Sequence, residues 1–255
     1  MNLTTTKNIV RKILHKAGYV ILRENVVTKL RGGEDFVTLF YNYKPYTMVP
    51  PGRSLGLYKA VEYIVANKLE GDLVECGVWR GGQSMIAAKV LLEREGTRRK
   101  LWLYDTFSGM SAPTELDIKI KTGALAGERW RQEQRETRNE WCYASLEEVK
   151  RNMEITGYPE DKVVYVRGKV EDTIPKMAPE KIALLRLDTD WYQSTAHELK
   201  HLFPLLAEGG ILIIDDYYSW SGARKAVDEY FKNRAGIVFF DVDEARFGIK
   251  LCQRP

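Results

Sequence analysis

The sequence predicts an α/β protein: a doubly wound, mostly parallel sheet of seven strands with a C-terminal antiparallel hairpin, preceded by an N-terminal helical and lid appendage. Three observations carry this expectation. Short apolar runs alternate along the chain with helical periodicities. Several of those runs end in an acid or a glycine, as strands do at the carboxyl edge of such a sheet. The last two, over 237–242 and 247–252, are joined by a short charged turn, which reads as a hairpin.

Taken in order, residues 7–18 place Ile9, Val10, Ile13 and Leu14 on one helical face. Residues 31–53 read as irregular and aromatic-rich, interrupted by Gly32-Gly33 and Pro50-Pro51, and suit either a packed-down loop or a cover over a ligand. Ser54 is placed to cap a helix running to Lys68, with Leu57, Val61, Ile64 and Val65 facing inward. A strand over 72–77 passes through glycines into a helix ending near Arg94, and a second strand follows over 100–105. Residues 106–143 form a polar connection longer than a compact fold requires, with a short helical stretch over 127–132. Ser145-Leu-Glu-Glu148 is a capping box opening a helix to Thr156. Strands over 163–167 and 182–187, a helix over 194–206, a strand over 211–214 entered through Gly209-Gly210, and a helix over 222–233 complete the alternation. Without repeats or a linker, residues 1–255 read as one domain, with 1–53 as helix and lid and 54–255 as the core.

A chain of 255 residues can bury a sizeable core. Its formal charge of +4, with Lys and Arg spread along the sequence, argues against a dedicated nucleic-acid surface. Cys76, Cys142 and Cys252 have no metal-ligand spacing and fit free thiols in a reducing compartment. Basic residues run through the apolar part of the N-terminus, unlike a signal peptide, and no apolar run reaches the length of a membrane span. A soluble cytoplasmic protein with neither nucleic-acid nor membrane partners is the expectation.

The strand ends carry the chemistry. In GDLVECGVWRGGQS, Glu75 precedes Gly77, and Gly81-Gly82 opens the next helix. The spacing is not the dinucleotide fingerprint. Glycines there let a ligand approach the backbone, and the helix start offers free N–H groups to an anion; a glycine turn needed only for packing is the alternative. Asp105 closes the second strand and suits the two hydroxyls of a ribose, or simply ends a turn. Gly168 with Glu171-Asp172 lines an adenine or forms a solvated loop. An acid-x-Gly turn after strand one, then an acid after strand two, resembles the pattern of class I methyltransferases that use S-adenosylmethionine. The zwitterionic end of that cofactor suits Glu75 and the glycine turn.

In IALLRLDTDWYQST, Asp188 follows the fourth strand directly and Asp190 lies two residues on; in ILIIDD, Asp215 and Asp216 follow the fifth. The separation holds a helix and a return strand, so the two strands are expected to be neighbours and Asp188, Asp215 and Asp216 to converge. Three ionised carboxylates together are costly without a cation. Oxygen-only ligands favour a hard ion, Mg²⁺ above all. Alternatively, Asp215 and Asp216 cap the next helix and face water. HELKH, His197 to His201, is a literal H-E-x-x-H with Glu198 as the base of a zinc site. No later histidine completes that set, and Ala196, Leu199 and Phe203 suit a sheet-packed face with the histidines outward. His15 has no visible partner.

The segments VECGVWRGGQS, YDTFSGM, RGKVEDTIP, LLRLDTDWYQST and GGILIIDDYYSWSGARKAVDEYF resemble the macrocin-type O-methyltransferases, the TylF/MycF/NovP family, from Tyr46 to Phe231. The first forty residues and 119–138 match less clearly. The resemblance implies methylation of a sugar hydroxyl on a natural product, with S-adenosylmethionine and Mg²⁺. It implies that Asp188, Asp215 and Asp216 hold the metal, that Glu75 and Gly77 border the methionine part, and that Ser84 opens the following helix beside it. Asp105 would bind the ribose, Val170 and Glu171 would lie near the adenine, and Tyr46 and Thr47 belong to a segment that closes over the cofactor. A more distant likeness to catechol O-methyltransferase gives the same three metal positions. There the third ligand is an amide, and Asp216 makes this site one charge more negative. A homo-oligomer is also implied.

Asp188, ligand and neighbour of the reacting oxygen, is the expected catalytic proton acceptor, with Asp190 as second choice. The rivals are a methyltransferase of a small catechol-like phenol, a glycosyltransferase using Asp188-Thr-Asp190 as a D-x-D motif, a zinc hydrolase built on HELKH, and a methyltransferase fold kept as an inactive binding module. The glycosyltransferase leaves the glycine turn and Asp215-Asp216 unexplained, and the module would be expected to have lost one of them.

Overall fold

The computed structural model describes residues 33–252. Seven strands, β1 (Asp72–Cys76), β2 (Leu101–Asp105), β3 (Val163–Arg167), β4 (Ile182–Leu187), β5 (Leu206–Ile214), β6 (Ile237–Val242) and β7 (Ala245–Lys250), form one sheet in the order β3-β2-β1-β4-β5-β7-β6. β1 to β5 run parallel, and the β6–β7 hairpin adds an antiparallel edge on β5. The chain first winds outward from β1 to β3 and then returns to β4 on the other side of β1. The crevice at the carboxyl ends of β1 and β4 is therefore the switch point where such sheets bind ligands.

Successive strand residues bury on opposite faces, as the two-residue period requires. Leu73, Leu184 and Ile211 pack with the helices α1 (Gly33–Tyr43), α2 (Pro51–Ala66), α3 (Gly82–Arg94) and α5 (Leu146–Glu154). Val74, Leu185 and Leu212 pack with α6 (Val170–Thr173), α7 (Tyr192–Leu202) and α8 (Ser221–Phe231). The long connection after β2 contains α4 (Ala126–Glu133) and lies over the carboxyl edge, where Trp141, Trp191 and Trp220 form a third buried cluster with Ala126 and Ala223.

Several elements differ from the expectation. The stretch expected to be irregular over 31–53 contains α1, whose Phe36, Leu39, Phe40 and Tyr43 are buried at helical spacing, with Glu34 and Asp35 in its first turn. α2 starts at Pro51, a residue suited to a first helical position, so Ser54 is not its cap. Ser54 lies inside the helix, fully buried, and its Oγ accepts from Gln83 Nε2 at 2.9 Å. β5 begins before Gly209-Gly210. Ile182 pairs with Leu206 but Leu184 with Ile211, so the glycines occupy a bulge, with Gly209 at φ 77°. Half of the expected capping box is present: Ser145 Oγ accepts from the Glu148 amide at 3.1 Å, while the Glu148 carboxylate accepts from Arg80 Nε at 2.5 Å. The helix expected over 7–18, and His15 with it, lies outside the described residues. Among those residues, no helix is long and apolar enough to cross a membrane.

Candidate active site

β4 and β5 end side by side, and the backbone pairing continues past them: Asp188 N donates to Cys76 O at 2.8 Å and Asp215 N to Leu187 O at 3.0 Å. This alignment brings Asp188, Asp215 and Asp216 together, each with an oxygen within 4.8 Å of the others. Asp215 is 4 % exposed, so it does not face water as a helix cap would.

Two arginines answer this charge. Arg186, inside β4 and 2 % exposed, places Nη1 2.8 Å from Asp188 Oδ2 and Nη2 2.7 Å from Asp215 Oδ1. Arg53, from α2, donates from Nη1 to Asp215 Oδ2 at 2.6 Å and to Asp215 O at 3.0 Å. Burial pushes the Asp188 carboxyl well above the ordinary carboxylate range, against Arg186 and with the repulsion of Asp215 and Asp216. Burial and Asp216 do the same to Asp190. Burial also acts upward on Asp216, but hydrogen bonds from Asp190 and Asp188, together with Arg53 and Lys119, hold it below that range. Raised carboxyls bind a proton more readily than free ones, and a cation at the cluster would compete with it. An all-oxygen, polyanionic donor set of this kind fits a hard divalent ion.

The glycine turn abuts the cluster. A Cβ on Gly77, which has φ 83°, would overlap the Asp188 carbonyl, so this position needs glycine for the approach of β1 to β4. Asp105 holds the turn from β2: Oδ2 accepts from the amides of Val78 at 2.8 Å and Trp79 at 3.0 Å, and Oδ1 from Phe107 at 2.8 Å. Burial raises its carboxyl, opposed by these N–H donors. A cavity of about 780 Å³ opens here, within the size range of small-molecule sites. Gly77, Asp105, Asp188, Asp190, Asp215 and Asp216 all line it. Val170 and Glu171 line an adjoining space of about 60 Å³ that shares Gly77, Asp105 and Asp188 with the main cavity.

Other expected site residues lie further back. Glu75 is 7 % exposed and does not line the large cavity; it accepts from Ser84 Oγ and pairs with Arg186 Nη1 at 2.6 Å. Burial raises its carboxyl, opposed by Arg186 and Ser84. Tyr46 and Thr47 lie against the start of α3, where a Cβ on Gly82 would overlap the Tyr46 carbonyl. Thr47 Oγ1 accepts from Gln83 Nε2 at 3.0 Å. The same segment reaches the cavity through Met48, Val49 and Arg53.

Sequence reasoning missed Arg53, Arg186 and the aromatic wall formed by Trp141 and Trp220. Arg186 left a signal, because a lone arginine in an apolar run that ends in an acid implies a buried ion pair. Arg53 and the tryptophans left none, being brought in from distant segments.

Residues 3–243 match the family described as Macrocin-O-methyltransferase (TylF). This chain belongs to the macrocin O-methyltransferase family. The methyltransferase is 37% identical over 200 residues, 75% of its length and 69% of the relative's, to the 8-demethyl-8-(2,3-dimethoxy-alpha-L-rhamnosyl)-tetracenomycin-C 4'-O-methyltransferase of Streptomyces olivaceus. It is 32% identical over 246 residues, 96% of its length and 91% of the relative's, to the Mycinamicin III 3''-O-methyltransferase of Micromonospora griseorubida. The solved O-methyltransferase NovP superposes with a TM-score of 0.69 at 30% identity, over 81% of this chain and 83% of that one. The fold is that of the class I methyltransferases, and the enzyme is an O-methyltransferase.

The H-E-x-x-H stretch of this methyltransferase does not form a metal site. His197 and His201 are half-buried with ring centroids 4.5 Å apart, and His197 Nε2 lies 2.9 Å from the Ile174 carbonyl. Glu198 points the other way and is fully buried. Among the described residues, Asp188, Asp215 and Asp216 are the one group of three or more potential ligands within reach of a common ion.

Proposed function

We propose that this methyltransferase moves a methyl group from S-adenosylmethionine to a hydroxyl of a sugar on a glycosylated small molecule, using Mg²⁺ held by Asp188, Asp215 and Asp216. The observation that carries the reading is the convergence of those carboxylates beside the glycine turn, at the switch point and on the wall of the large cavity. The printed activities of the relatives, on a rhamnosyl-tetracenomycin and on mycinamicin III, support the acceptor class. A homo-oligomer in the cytoplasm belongs to the same reading.

Bound S-adenosylmethionine supplies an electrophilic methyl group, and bound Mg²⁺ supplies the charge that makes a sugar hydroxyl easier to ionise. Asp188 faces the cavity and accepts the hydroxyl proton. Arg186 and Arg53 keep Asp215 turned into the cluster. Gly77 and Asp105 border the methionine and ribose parts, and Val170 and Glu171 the adenine. Glu75 and Ser84 support the turn from behind, and Tyr46 and Thr47 anchor the covering segment on α3. Trp141 and Trp220, with Arg129 and Lys119 over their rings at 4.3 and 4.6 Å, form the wall of the cavity that meets the acceptor. The connection carrying α4 covers the cavity and excludes water, and holding the reactants in line supplies much of the rate.

The test is methyl transfer from labelled S-adenosylmethionine to glycosides, to their aglycones and to simple catechols, with Mg²⁺ and with excess EDTA. Glycoside-dependent, EDTA-sensitive turnover is expected. Methylation of catechols in preference to glycosides, or full activity in EDTA, would overturn the reading.

A further inference from the structure

We infer that Glu198 is a positioning residue: its buried carboxyl holds Thr189, and through Thr189 it fixes the Asp188 and Asp190 carboxylates on either side. The inference rests on the proposed role of Asp188. It assigns a purpose to the acid of the H-E-x-x-H stretch, which points into the protein beside Leu199.

Glu198 lies on the face of α7 that packs on the sheet, next to Leu199, and both are fully buried. A carboxyl there costs free energy that a leucine would not, unless it is hydrogen-bonded. Thr189 Oγ1 supplies that bond, lying 3.0 Å from Glu198 Oε1 and 3.2 Å from Oε2. The Cys76 thiol, at the end of β1, is pushed up by burial and by the charge of this carboxyl. Glu198 therefore sits beneath the end of β4 and near the end of β1.

The short loop above it is tied at every residue. Asp188 N donates to Cys76 O at 2.8 Å, and the Asp188 carbonyl packs on Gly77. Thr189 is tied by its side chain to Glu198, and its carbonyl accepts from Trp191 N at 2.8 Å. Between them, Asp190 is held at φ 68°, a left-handed conformation that a non-glycine residue keeps only when its surroundings over-determine it. Thr189 is the only loop residue anchored through its side chain to the interior of α7. Without that bond the loop can relax toward ordinary backbone angles, which turns the carboxylates before and after it.

Thr189 Oγ1 donates to the Glu198 carboxyl, and burial raises that carboxyl above its ordinary range. Glutamine keeps an oxygen that can accept from Thr189, whereas methionine fills the space without an acceptor. Three variants separate positioning from packing: Glu198→Gln, Glu198→Met and Thr189→Val, the last being nearly isosteric at a half-buried site. Each is measured for kcat, acceptor KM, S-adenosylhomocysteine affinity by calorimetry, and Mg²⁺ affinity by titration with the metal alone.

Glu198→Met and Thr189→Val are expected to lose roughly 10- to 100-fold in kcat or in Mg²⁺ affinity, the range for residues that orient ligands from behind. Acceptor KM should stay within about 2-fold, S-adenosylhomocysteine affinity should do so in the Glu198 variants, whose residue lines neither the cavity nor the adjoining space, and Glu198→Gln should recover most of the loss. Wild-type kcat and Mg²⁺ affinity in Thr189→Val, or a Glu198→Gln no better than Glu198→Met, would overturn the inference. If Glu198→Met does not fold, Thr189→Val decides. A wild-type protein that methylates no glycoside would instead sink the functional reading.

Discussion

Arg186 Nη2 lies 2.7 Å from Asp215 Oδ1 in the interior of the sheet, and the other terminal nitrogen reaches Glu75 and Asp188 at 2.6 and 2.8 Å. One guanidinium thus serves the carboxylate behind the glycine turn and two of the three proposed metal ligands. Its planar fork allows this, and a lysine could not reproduce it.

Replacing Arg186 by methionine keeps the apolar stem and leaves those carboxylates without their shared cation. Removing one partner of a buried ion pair costs about 3–5 kcal/mol. Urea denaturation of the ion-free variant should show a loss of that order, and saturating Mg²⁺ should recover part of it by mass action. A variant as stable as wild type without Mg²⁺ would show that Arg186 does not carry the charge balance.

Asp188→Asn keeps the shape of the side chain and removes both a proposed negative ligand and the proposed proton acceptor. Turnover should fall at least about 100-fold, the lower range for loss of a general base. S-adenosylhomocysteine should bind with nearly wild-type affinity in calorimetry, because the glycine turn and Asp105 are untouched. Robust methyl transfer by this variant would reassign the base, with Asp190 the next candidate on the cavity wall.

The shifted carboxyls of the cluster make ion-free stability depend on pH. Asp188 and Asp190 are raised by burial, so their contribution is full below the unfolded carboxylate value and is lost as pH rises through the folded value. Asp216 is lowered and acts in the opposite sense, its contribution being lost as pH falls through its folded value. Two raised groups against one lowered group mean that the ion-free protein should lose stability as pH climbs above the ordinary carboxylate range. On the proposed reading Mg²⁺ competes with protons at these carboxyls, so the rise in Tm that it gives should grow over the same window, with proton release visible as a buffer-dependent binding enthalpy. An increment in Tm that is the same at every pH would count against Mg²⁺ binding at these carboxylates.

Much of this architecture was legible because local signals and tertiary demands agree. The strand of Ile182 to Leu187 and the meeting of Asp188 with Asp215-Asp216 follow from apolar runs that end in acids, and the Ser145 cap from a serine three residues before Glu148. α1 was obscured because Gly32-Gly33 and Pro50-Pro51 punctuate its surroundings, although Phe36, Leu39, Phe40 and Tyr43 carry the helical period. The seating of Glu75 on Arg186 was not legible. An acid beside a glycine turn looks the same in sequence whether it faces a ligand or a buried arginine from another strand. The inward direction of Glu198 was hidden for a similar reason, since its partner Thr189 lies in a loop of unknown shape until the fold is in place.

The tryptophan cluster separates acceptor binding from stability within one group of side chains. Trp191 and Trp220 meet edge to face with centroids 5.0 Å apart, and Trp141 lies 5.5 Å from Trp191 and 5.9 Å from Trp220. Trp220 and Trp141 line the cavity, whereas Trp191 stands behind them at 2 % exposure. Trp191→Ala should therefore act mainly on stability, by about 3–5 kcal/mol, the usual cost of emptying a buried aromatic position. Trp220→Leu removes the ring under Lys119 and part of the wall proposed to meet the acceptor, and an aromatic contact is worth about 0.5–1.5 kcal/mol beyond area burial. Acceptor KM should rise roughly 2- to 12-fold, with kcat and S-adenosylhomocysteine affinity little changed. The opposite pattern, a stable Trp191→Ala with raised KM beside an unaffected Trp220→Leu, would move the acceptor site away from the tryptophan wall.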